Sequence, residues 1–130
     1  MTPFGEYLEH LRRSRSLQQK QMADVMGINP CYVSALEKGR RRAPSKQVIS
    51  RIIERLNLTQ DEQAALWHAV EISEPLLKLP NSMSKAEFEF VHKLRNSLGN
   101  LSHSQLVIME EALDWGNQVR KLTQISSKGL

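Results

Sequence analysis

Gln19–Gly39 reads QKQMADVMGINPCYVSALEKG. Its apolar and small residues fall at Met22, Ala23, Met26, Ile28, Val33 and Leu36, and Gly27 separates two short segments of helical period. Ala23 is small where the second of these helices must cross close over the first. Gly27 accepts the positive φ of a tight turn between them without the steric penalty of a Cβ. Asn29-Pro30 pairs an N-cap side chain with a proline at the first helical position, where its missing N–H costs nothing. Ile28 fills the corner, and Val33 and Leu36 turn inward. The spacing predicts two helices crossing steeply through a glycine turn, a helix-turn-helix unit.

Working outward, helix punctuation recurs and runs of alternating β-branched residues are absent. Thr2-Pro3 opens a first helix with Phe4, Leu8 and Leu11 on one face, ending in the Arg13–Ser16 stretch. The second runs from Gln18 to Met26, and the third ends at Gly39. The fourth covers Ser45 to Leu56, with Val48, Ile49, Ile52, Ile53 and Leu56 on its inner face. Thr59 to Glu62 is a capping box that starts a fifth helix through Leu66, Trp67 and Val70. Pro75 and Pro80 mark residues 74–83 as a linker, whose Leu76, Leu77 and Leu79 are expected to lie against the protein surface. Capping boxes at Ser84–Glu87 and Ser102–Gln105 open two more helices, to about Ser97 and about Leu122, with Gly99-Asn100 between them. The expected architecture is all-α: a five-helix domain over residues 1–73, an antiparallel helical hairpin over 84–122 and a flexible tail over 123–130.

The chain has 130 residues, 40% of them hydrophobic, and a net charge of +4. That composition supports a buried core and excludes a disordered chain. No apolar run reaches the roughly 18 residues that suggest a membrane span, and the N-terminus lacks the pattern of a secretory signal. A cytoplasmic protein is expected. Residues 1–58 carry eleven Lys/Arg against five Asp/Glu, whereas residues 59–130 carry seven against nine. This asymmetry points to a basic module facing a polyanion, joined to a near-neutral module with another task.

Ala23, Gly27, Ile28, Val33, Leu36, Glu37 and Gly39 fall where the pattern of one family expects them. From Phe4 to about Leu58 the chain resembles the helix-turn-helix of the lambdoid phage repressor and Cro regulators, the xenobiotic-response-element class. The resemblance implies a five-helix DNA-binding domain. With Val33 and Leu36 inward at the helical period, Cys31, Ser34, Ala35 and Lys38 form a single outward stripe, and Tyr32 lies beside it. These five are the candidates for the major groove. The stripe holds no Arg, Gln or Asn able to grip a base bidentately, so shape and deformability would share the readout.

The resemblance also implies phosphate contacts. Arg40, Arg41 and Arg42 occupy the loop that follows the backbone in the family, and Gln19 matches its phosphate-binding position. Lys20 and Asn29 are grouped with them. Glu37 lies at the edge of the buried face, and family members often pair it with a first-helix arginine, here Arg12. That pair is expected to be structural. Cys31, in the first turn of the third helix, is open to a redox reading, but a small side chain facing the groove is the simpler one.

In the second module Phe88, Val91, Leu94 and Leu98 line one helix, while Ile108, Ala112, Trp115, Val119 and Leu122 form a stripe on the next. A helix so broadly apolar needs more than one neighbour. A second subunit is one cover, as two half-sites a helical turn apart call for a two-fold dimer; packing within the chain against Trp67 is the other. His10, His68, His92 and His103 form no i, i+4 pair, so no metal is expected. With no nucleophile–base pair, paired acids or glycine-rich phosphate loop, neither a cofactor nor an enzymatic activity is expected.

The residues thus point to a homodimeric transcription regulator, a repressor acting by occlusion on duplex DNA. The alternative is an antitoxin that grips a toxin through residues 84–122 and controls its own operon. An interaction adaptor that has lost DNA binding is a third reading, which the run of three arginines argues against.

Overall fold

The computed structural model of the chain describes residues 1–128, and side chains as far as Thr123. Among the described residues all regular structure is helical: α1 (Pro3–Ser14), α2 (Gln19–Met26), α3 (Pro30–Glu37), α4 (Lys46–Arg55), α5 (Gln60–Ile72), α6 (Lys85–Ser97) and α7 (His103–Lys128). Two units separate, Met1–Lys78 and Leu79–Leu130.

The first unit closes on one core. Phe4, Leu8 and Leu11 of α1 meet Met22, Ala23 and Met26 of α2, Val33 and Leu36 of α3, Ile49 and Ile52 of α4, Leu58, and Leu66 of α5. Helix α1 packs on α3 and α5, and α2 packs on α3 and α4. None of these helices is long enough to persist alone in water, so the shared apolar face holds them. Four of them end the same way. A residue in the left-handed region follows α1 (Ser16, φ 54°), α2 (Gly27, φ 70°), α3 (Gly39, φ 75°) and α4 (Asn57, φ 50°). The next N–H then reaches five residues back: Leu17 to Arg12, Ile28 to Ala23, Arg40 to Ala35 and Leu58 to Ile53, all at 2.9–3.1 Å. Arg51 and Arg55 of α4 add donors to the carbonyls of Met26, Asp24 and Val25 at the C-terminal end of α2.

Thr59 and Glu62 cap α5 reciprocally, and Arg15 grips the same carboxylate with two N–H groups at 2.7 and 2.9 Å. The Arg15 guanidinium, then the Thr59 N–H, holds the Glu62 carboxyl down at about 2. Because the folded value lies below the ordinary one, the contribution is complete above about pH 4.5 and disappears as pH falls toward about 2. Glu62→Gln should therefore differ most from the parent in thermal melts near neutral pH, and the two should converge in acid. A gap of constant size across that range would contradict the assignment.

The second unit is different. Ser84 and Glu87 cap α6, and Ser102 and Gln105 make the same reciprocal bonds at the start of α7. Yet no described side chain of this unit is buried. The two helices do not pack closely along their lengths. Between them Phe90, Leu94, Leu101, Ile108 and Met109 line an open cleft of about 270 Å³. The apolar arc of α7 is too broad for a single neighbour to cover. Phe88, Ile108, Trp115 and Leu122 stay about half to two-thirds exposed.

Two expectations need correction. Leu76 and Leu77 are 71% and 77% exposed rather than laid on the surface, whereas Leu79 is half-buried. Helix α7 continues to Lys128, past the boundary expected at Leu122, because Thr123–Lys128 contains neither glycine nor proline. Gly129 and Leu130, the end of the expected tail, lie outside the described residues. No helix among the described residues is long and apolar enough to cross a membrane.

Candidate nucleic-acid interface

The candidate interface is built on α3, and its rear is fixed first. Val33 and Leu36 are fully buried, and Ala23 of α2 (1% exposed) lies in the same core. Asn29 caps the helix by accepting the Cys31 N–H at 2.8 Å through Oδ1, which leaves its amide N–H groups facing outward. Glu37 is 4% exposed and is the buried charged residue of the core region. It accepts from Arg12 Nε at 2.5 Å, Arg12 Nη2 at 3.3 Å and Gln19 Nε2 at 2.7 Å. Arg12 also donates to the Leu17 carbonyl at 2.9 Å. One acid thereby joins α1, the start of α2 and the end of α3.

This geometry sorts the residues singled out in the sequence. Cys31 and Lys38 are exposed on the outer side of α3, and Ser34 and Ala35 are half-exposed between them. Tyr32, beside the stripe, is half-buried and packs against the core. Gln19, expected at a phosphate, spends part of its amide on Glu37 and keeps one N–H and its carbonyl for other partners. Lys20, Lys38, Arg40 and Arg41 are exposed and make no ion pair or side-chain hydrogen bond among the described residues. Arg42 does; it is paired with Glu74.

Sequence reasoning missed Glu74, since nothing in the spacing links a residue after α5 to the loop after α3. It also missed Arg51 and Arg55, whose guanidinium groups serve the α2 carbonyls. Among the described residues there is no cluster of His, Cys, Asp and Glu fit to hold a metal. The short α3, bonded from behind and bare in front, offers hydrogen-bond donors, a hydroxyl, a methyl and cations along one ridge.

The ridge lies within a stretch that is similar to known proteins. Residues 3–66 match the family described as a helix-turn-helix domain. That helix-turn-helix domain spans α1 to the middle of α5 and leaves α6 and α7 outside it. Two curated proteins of Bacillus subtilis (strain 168) are similar over the same region. The uncharacterized HTH-type transcriptional regulator RghRB is 38% identical over 52 residues, covering 40% of this chain and 37% of that protein. The HTH-type transcriptional repressor RghR is 34% identical over 58 residues, covering 45% of this chain and 43% of that protein. The chain thus aligns with only about two fifths of the length of these relatives.

Proposed function

We propose that the chain is a sequence-specific, duplex-DNA-binding transcription regulator of the lambdoid repressor type, a cytoplasmic repressor that works as a homodimer on a pseudo-palindromic operator and catalyses no reaction. The observation that carries this reading is the bare outer ridge of α3 bordered by Lys38, Arg40 and Arg41, all free of acidic partners among the described residues. A helix of this size enters the major groove with its N-terminal turn nearest the bases. Cys31, Ser34 and Ala35 then face base edges, and Lys38 reaches a guanine or a phosphate. Arg40 and Arg41 hold the flanking backbone, as do Lys20, the free Gln19 N–H and the amide of Asn29.

A dimer neutralising about six phosphates loses affinity with a slope near −5 in log–log salt plots. Titration of a duplex from the chain's own upstream region should give that slope, and Arg40→Ala with Arg41→Ala should make it shallower. A binding constant indifferent to salt would overturn the reading.

The apolar faces of α6 and α7 support the dimer. Phe88, Ile108, Ala112, Trp115, Val119 and Leu122 are exposed and Val91 and Leu94 half-exposed, and a second copy supplies a cover. A chain ending at Ser82 should sediment as a monomer and bind its operator at least tenfold more weakly, roughly the cost of losing linked half-sites. A truncated chain that stays dimeric would place the interface elsewhere. The same exposed faces favour a second reading, an antitoxin whose residues 84–122 grip a toxin. Co-expression with the product of the adjacent gene, followed by a mass measurement of the complex, separates the two.

A further inference from the structure

The three arginines after α3 are not equivalent. Arg40 and Arg41 are unpaired among the described residues, whereas the Arg42 guanidinium is paired through Nη2 with Glu74 Oε1. Glu74 is two residues beyond α5, and its backbone is placed firmly. Its neighbour Ser73 accepts the Phe4 N–H at 2.9 Å and donates to the Ala69 carbonyl at 2.6 Å, so the end of α5 is tied to the start of α1. The carboxylate is therefore presented to the loop by a fixed platform. Both partners stay open to solvent, at 61% and 53% side-chain exposure. An exposed pair of this kind is weak, and a second anion can displace one partner.

We propose that Glu74 is a built-in competitor for the nucleic-acid phosphate at Arg42. The inference rests on the DNA-binding reading above and concerns the control of that same site. Glu74 holds Arg42 through one Nη2–Oε1 contact and offsets its charge, so a phosphate competes with the carboxylate for the same guanidinium. In the free protein Glu74 cancels one of the loop's three positive charges and holds Arg42 in place. On a duplex the phosphate must take Arg42 from it, and the released carboxylate stands close to a polyanion. Affinity is thus kept below what the run of arginines allows. Because Glu74 lies just before Pro75, at the start of the segment that leads out of the first unit, the restraint sits on the connector itself.

The test uses the full chain and a fluorescently labelled duplex of random sequence, titrated between about 50 and 200 mM salt. Glu74→Gln should bind about two- to fivefold more tightly at low salt, the range a solvent-exposed pair supplies, and its salt slope should steepen by about one per subunit. In an Arg42→Ala background the same substitution should gain no more than Glu71→Gln does. Glu71→Gln removes an equal charge from an exposed site with no ion pair among the described residues and sets the size of the purely global effect. A gain no larger than that of Glu71→Gln would overturn the proposal. So would weaker binding by Glu74→Gln, the result expected if the pair only braces the loop. Failure of the parent chain to bind any duplex at low salt would instead remove the DNA-binding reading, and this proposal with it.

Discussion

Gly5→Ala should cost the first unit about 3 kcal/mol of folding stability, at the upper end for overpacking a tight contact. The sign is opposite to intrinsic preference, since alanine is the better helix former by about 1 kcal/mol. The reason is the crossing of α1 and α3. A Cβ on residue 5 would stand 2.4 Å from the Leu36 carbonyl oxygen and 2.9 Å from that of Glu37. Both are backbone atoms of α3, so relief requires moving one helix off the other. That movement would loosen Phe4 and Leu8 and stretch the Arg12–Glu37 bonds, all set by the same approach. Gly116→Ala is the control, because a Cβ there meets nothing within 4 Å. Chemical denaturation of the two variants should move in opposite directions. A Gly5→Ala protein that unfolds with the parent would show that the helices do not come this close.

Arg12→Ala should be comparably severe, at about 3 kcal/mol, as expected when one partner of a buried ion pair is removed. The substitution leaves the Glu37 carboxylate, 4% exposed, with Gln19 as its remaining side-chain donor. It also frees the Leu17 carbonyl, which Arg12 satisfies at 2.9 Å. Glu37→Ala should likewise lower stability more than it alters operator preference. Replacing both residues by methionine removes the uncompensated charge, and this double variant should recover much of the loss. If the double variant were no better than either single one, the pair would owe its importance to geometry that methionine cannot reproduce.

The elements of the first unit were legible because their signals are local. Pro3 and Pro30 follow capping residues, Thr59 to Glu62 forms its box within four residues, and Gly27 and Gly39 stop helices where glycine is cheapest. Ser16 and Asn57 stop two others in the same left-handed conformation, yet neither advertises it in a sequence. Long-range partners were harder to read. The edge position of Glu37 is visible on a helical wheel, but the claim of Gln19 on the same carboxylate depends on where α2 begins in space. The pairing of Arg42 with Glu74 spans 32 residues and has no periodic signature. In the second unit the apolar stripes of α6 and α7 were plain. What covers them was not, since a hydrophobic pattern says which face seeks cover and not which neighbour provides it.

The formal excess of positive charge in the first 58 residues overstates what an approaching polyanion meets. Arg12, Arg13, Arg15 and Arg42 each face a carboxylate, and Arg51 and Arg55 are spent on carbonyls. What remains in those residues without such a partner among the described residues is Lys20, Lys38, Arg40, Arg41 and Lys46. Diffusional capture is governed by local potential rather than by a molecule's total valence. Encounter with the first unit is therefore set by those few lysines and arginines rather than by its formal charge.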